Sequence, residues 1–149
     1  MENRAIDMQE NWINWNLPDI SKGEYIVTEF IQNADGVKII LDNEKNIVEI
    51  FFDGIPSIIR ISVEGIRMRT WGEVQQKYHD KNFFRDGFLF KVENSKLSKW
   101  AEEESCGFYE AERLTHYCIV TIEELIDIVA TFDPIVKVSE INMNLSGRS

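Results

Sequence analysis

Between Glu24 and Val63 the chain passes through four β-branched segments with only four or five residues between them. Tyr25–Ile31, Val37–Leu41, Ile47–Phe52 and Ser57–Val63 are rich in the residue types that suit a half-buried pleated surface. The intervening Asn33-Ala34-Asp35-Gly36, Asp42 to Asn46 and Asp53-Gly54-Ile55-Pro56 are turn formers. A parallel crossover needs a dozen or more residues, so connections this short demand antiparallel neighbours. Residues 24–63 therefore read as a four-stranded meander, one face of which must be covered by other elements.

Helical spacing begins after Gly65. Met68, Trp71, Val74 and Tyr78 recur at three- and four-residue steps and make one apolar stripe, although Thr70 and Glu73 could cap a shorter helix. Phe88–Val92 reads as a strand, and Ser95 as the cap of a helix Lys96–Glu104 that Gly107 stops. Thr115–Val120 is a further strand. Thr121 and Glu124 have capping-box spacing, which predicts a helix over Ile122–Thr131, with Leu125, Ile126 and Val129 on its buried side. Ile135–Val138 closes the series. The expected fold is a single α+β domain over 1–149: a mainly antiparallel sheet packed by two or three helices. A tryptophan-bearing arm (residues 1–20, with Trp12 and Trp15) precedes it, and a frayed tail (141–149) follows.

Charge narrows the function. Against 26 Asp and Glu stand 16 Lys and Arg, a net charge of −10. Residues 1–59 hold 11 acids and 4 bases, or −7; residues 60–99 hold 5 and 9, or +4; residues 100–149 hold 10 and 3, or −7. The basic stretch, from Arg60, Arg67 and Arg69 to Lys96 and Lys99, is interleaved with acids and reads as a solvated helix face with internal ion pairs. Such a chain is unsuited to nucleic acid or an anionic membrane surface, both of which need clustered cations. It suits a basic protein partner drawn in by long-range attraction. The first residues lack the cationic start and apolar run of a signal peptide, and no stretch approaches the roughly 18 apolar residues of a membrane span. A cytoplasmic protein is expected, with two reduced cysteines.

Three kinds of chemistry bear on the candidate residues. Cys106 with His116 as base and Glu110 as orienter has the residue types of a thiol nucleophile. A helix C-terminus flanked by Glu102, Glu103 and Glu104 is the wrong electrostatic setting for an activated thiolate, and Cys118 sits in an apolar strand as a small core residue. His79, Cys106, His116 and Cys118 lack the paired spacing of a zinc site, so no metal or cofactor is expected. Glu123, Glu124 and Asp127 are accounted for by capping and a solvated helix face, and Asp35, Asp42 and Asp53 by turns.

The stretch from Glu102 to Glu112 is of another kind. Glu102, Glu103, Glu104, Glu110 and Glu112 surround the adjacent aromatics Phe108 and Tyr109 between a helix and a strand. Aromatic anchors ringed by acids are what a surface needs to hold a cationic partner. The structural alternative is an acidic loop with Phe108 tucked into the core. Trp100, Ser105 and Gly107, then Leu114 to Thr121, the segment Ile122–Thr131 and Asp133-Pro134 resemble the C-terminal half of small bacterial immunity proteins of polymorphic toxins, including LXG-type toxin–immunity modules. The resemblance, over residues 97–136, implies a cytoplasmic, non-enzymatic protein that binds its cognate toxin domain, often a nuclease, and occludes its basic active site. The competing expectations are a small adaptor or assembly subunit, which would form a homo-oligomer, and a thiol-dependent enzyme using Cys106 and His116.

Overall fold

The structure, a computed structural model, describes residues 9–15, 17 and 24–141. Among them, nine strands and three helices follow in the order β1 (Asn11–Asn14), β2 (Ile26–Asn33), β3 (Gly36–Asp42), β4 (Asn46–Asp53), β5 (Ile58–Val63), α1 (Met68–Tyr78), α2 (Phe83–Asp86), β6 (Leu89–Glu93), α3 (Lys96–Glu104), β7 (Thr115–Val120), β8 (Glu124–Ala130) and β9 (Ile135–Glu140). Short 3-10 turns occupy Glu64–Arg67 and Ala111–Arg113. The strands form two antiparallel sheets, one of five in the order β1-β6-β7-β8-β5 and one of four in the order β2-β3-β4-β9. The α+β class and the antiparallel pairing agree with the sequence reading. No helix among the described residues is long and apolar enough to cross a membrane.

The two sheets pack face to face. Val37, Ile39 and Leu41 of β3 and Val48, Ile50 and Phe52 of β4 share one buried cluster with Leu89, Tyr117, Ile119, Ile126 and Ile128 of the larger sheet. On its other face the larger sheet presents Trp12, Phe90, Val92, Cys118, Val120 and Leu125 to Val74 of α1 and Phe84 of α2. The result is three layers: sheet, sheet, helices. β7 and β8 are buried on both faces, which requires apolar residues at nearly every position rather than at alternate ones.

That double burial overturns the expected helix at Ile122–Thr131. The run Leu125-Ile126-Asp127-Ile128-Val129-Ala130 is a strand whose successive side chains enter the two opposite cores. The Thr121–Glu124 contact forms, with the Thr121 hydroxyl accepting the Glu124 N–H at 3.1 Å, but it closes the β7–β8 hairpin instead of starting a helix. A hydroxyl three residues before a free N–H satisfies either geometry, so burial decides.

The four-stranded meander is corrected too. β2, β3 and β4 form it, but the fourth place in their sheet belongs to β9, while β5 crosses to pair with β8. The crossing lies at Asp53-Gly54-Ile55-Pro56, where Gly54 adopts φ +138° and its N–H is held by the carbonyls of Asp35 and Phe52. Pro56 has no N–H to extend a hairpin. Of the expected arm, Asn11–Asn14 is an edge strand on β6, which buries Trp12; residues 1–8, 16 and 18–23 lie outside the described residues. The expected tail also lies outside them, except Ile141.

α1 forms as expected, with Val74 buried and Tyr78 accepting the Trp12 N–H at 2.8 Å, but Met68 faces solvent. α3 starts at Ser95, whose hydroxyl accepts the Ser98 N–H at 3.0 Å.

Candidate functional site

The acidic segment begins in the last turn of α3. Its end is tied by a pair of hydrogen bonds, Gly107 N–H to the Glu102 carbonyl at 2.8 Å and Cys106 N–H to the Glu103 carbonyl at 3.1 Å. This pairing requires the left-handed conformation that Cys106 adopts at φ 53°. Beyond it the Ser105 hydroxyl accepts the Tyr109 N–H at 2.9 Å, and the Glu102 carboxylate accepts the Ala111 N–H at 2.8 Å. Local hydrogen bonds thus hold the loop in one shape before any partner arrives, which lowers the ordering cost of binding.

Of the seven residues expected at the contact, six lie on the surface of this loop and helix end. Phe108 is 82% exposed and Tyr109 45%, their rings meeting edge to face at 5.3 Å; the core alternative for Phe108 is excluded. Glu103, Glu104, Glu110 and Glu112 are exposed beside them. Glu110 lies 3.9 Å from Arg113, whereas Glu103, Glu104 and Glu112 make no ion pair among the described residues. Glu102 is the exception, half-buried and spent on the loop backbone. Trp100, on α3 itself, is a 52% exposed aromatic that the sequence reading had not placed in the contact set.

A second constellation, unseen in the sequence, lies on the helical face of the larger sheet. His116 and Asp127 project from adjacent strands β7 and β8, and His116 Nε2 sits 2.7 Å from Asp127 Oδ1. His116 Nδ1 lies 2.7 Å from the Ser95 hydroxyl at the start of α3. The other carboxylate oxygen of Asp127 takes Arg60 Nε at 2.9 Å and an Arg67 terminal nitrogen at 2.5 Å. Burial alone would push the Asp127 carboxyl up, but the His116 hydrogen bond, then the His116, Arg67 and Arg60 charges, hold it well below the ordinary carboxylate range. An ionised Asp127 accepts the Nε2 proton, and the Ser95 hydroxyl engages the other ring nitrogen. Arg60 and Arg67 thus serve a buried carboxylate rather than a solvated helix face, and Asp127 belongs to a strand interior. Only Arg69, 3.4 Å from Glu73, makes the expected pair along the helix.

Ser95, His116 and Asp127 are the residue types of a hydrolytic triad, but the hydroxyl meets Nδ1 and the carboxylate Nε2, the reverse of a serine hydrolase, and Ser95 is buried as a helix cap. The alternative thiol pairing of Cys106 with His116 is not assembled: both His116 nitrogens are engaged by Ser95 and Asp127, and Cys106 is exposed at the far end of α3. Cys118 faces Asp127 across the strand pair, and burial first, then the Asp127 charge, pushes its thiol up. Comparison with known protein families, curated proteins and solved structures gave no match. Among the described residues no group of three or more His, Cys, Asp and Glu could hold a metal ion. The signal that could have revealed the buried cluster is Asp127 itself, a lone acid inside an apolar run, at a position that only a strand turns toward His116 and Cys118.

Proposed function

We propose that this chain is an immunity- or antitoxin-like protein that binds a cation-rich toxin domain and neutralises it by occluding its active site. The observation that carries the reading is the loop after α3, where exposed Phe108 and Tyr109 stand among glutamates of which Glu103, Glu104 and Glu112 make no ion pair among the described residues. Exposed aromatics desolvate well in a partner's pockets, and acids around them steer and orient a basic surface. The net charge of −10 adds attraction at longer range. The resemblance of residues 97–136 to immunity proteins of toxin modules points the same way.

The test is kinetic. The product of the neighbouring gene is purified, and its association with this chain is followed by stopped flow at increasing salt. Changing Glu103, Glu104 and Glu112 together to Lys is expected to slow association about tenfold or more and to flatten its salt dependence. Replacing Phe108 and Tyr109 with Ala is expected to speed dissociation by about thirtyfold, the effect of losing roughly 2 kcal/mol of anchor contact. Failure of that product to bind, or unchanged kinetics in both variants, overturns the reading.

A further inference from the structure

The strongest unexplained feature is an open groove of about 1040 Å³ on the helical face of the larger sheet. Its walls come from α1 and the start of α3, and its lining includes Trp12, Arg60, Arg67, Lys77, Lys96 and His116. In a chain of charge −10, this is where cations converge. The acids present do not balance them. Among the described residues Glu10 and Glu73 line the same groove against four Arg and Lys side chains; Glu73 also pairs with Arg69, and Glu10 accepts the Lys96 backbone N–H at 2.9 Å. Beneath, a single carboxylate, Asp127, faces two guanidiniums and a histidine.

The donor inventory is as lopsided as the charge. A guanidinium offers five N–H groups. Arg60 uses one nitrogen on Asp127, and Arg67 uses one on Asp127 and, at 3.4 Å, Ser62. Their remaining donors have no acceptor among the described residues and are open to the solvent of the groove, since neither guanidinium holds a nitrogen that is buried without a partner. Trp12, which also lines the groove and whose ring stands edge-on to His116, keeps a buried indole N–H without a partner among the described residues. Guanidinium donors without a protein acceptor, set beside further cations, favour an oxyanion, because it accepts charge-assisted bonds that are stronger than neutral ones. The volume matches the upper end of small-ligand sites.

We propose that this groove binds the carboxylate or phosphate group of a small ligand, with Arg60 and Arg67 as its charged anchors. The site is separate from the acidic loop and does not depend on the partner assigned to that loop. The test is a titration of the full chain, followed by the Trp12 indole and arginine Nε resonances in 15N-resolved NMR. The probes are inorganic phosphate and, separately, acetate, with chloride at matched ionic strength as reference. Saturable movement of the Trp12 and Arg60 signals by either probe, absent with chloride, is expected; the probe bound more tightly identifies the phosphate or the carboxylate source. Arg60→Gln, at a side chain 44% exposed, is expected to weaken that binding about tenfold, while Lys45→Gln in the distant β3–β4 turn leaves it unchanged. No saturable movement with either probe, or equal weakening by the two variants, overturns the proposal.

Discussion

Asp127 is the residue on which most of the buried polar structure depends. Removing a carboxylate from water costs several kcal/mol, and only a full set of partners makes the ionised form stable in the interior. Here His116, Arg60 and Arg67 provide them. Because the folded carboxyl titrates below its unfolded counterpart, its contribution to stability is complete above the ordinary carboxylate range, near pH 4, and is lost as pH falls beneath it. Asp127→Asn leaves the mostly buried Arg67 without its counter-charge, so a loss of about 3 kcal/mol at neutral pH is expected. The acid limb of the stability curve should also flatten. Urea unfolding at pH 7 and at a series of lower pH values checks both, and an unchanged acid limb would remove Asp127 as the source. In the sequence this residue was read as a solvated acid, since nothing in the run around it says which neighbours a strand will supply.

At the scale of elements, the β2–β3 hairpin shows how tightly one position can be determined. Gly36 adopts φ +136°, and a Cβ there would collide with the Phe52 carbonyl and the Gly54 backbone of the neighbouring strand and turn. Gly36→Ala should therefore destabilise by roughly 2 kcal/mol, a fall in midpoint of about 4–8 °C by thermal unfolding. The strands β2 to β4, β6, β7 and β9 and the helices α1 and α3 were legible because each has one dominant period and clear turn or cap residues. β8 was not. A strand buried on both faces loses its alternation, and Thr121 and Glu124 bond the same way in a hairpin as in a cap. Partner choice was illegible for a related reason: a four-residue link allows either a hairpin or a crossing between sheets, and Pro56 speaks only weakly for the second. The acidic loop was legible in position and composition, whereas the inward turn of Glu102 depends on a backbone N–H nine residues away.

For the whole molecule, surplus negative charge opposes compaction. Charges farther apart than a Debye length, about 8 Å at physiological ionic strength, are largely screened there, while the buried Asp127 cluster is screened far less. Moving from very low salt to about 0.15 M sodium chloride should therefore raise the thermal midpoint by roughly 1–2 °C through reduced self-repulsion. Calorimetry reads this directly, and a fall instead of a rise would mean that attractive surface pairs dominate. The topology carries a consequence for biogenesis. β4 gains its outer neighbour only from Ile135–Glu140, and β5 gains its own only from Glu124–Ala130. During translation the β4 side of the meander and the β5 strand must wait unpaired until the ribosome has released residues well past 120. Such distant pairings slow folding and prolong the exposure of raw strand edges, so expression at lower temperature should favour recovery of native chains.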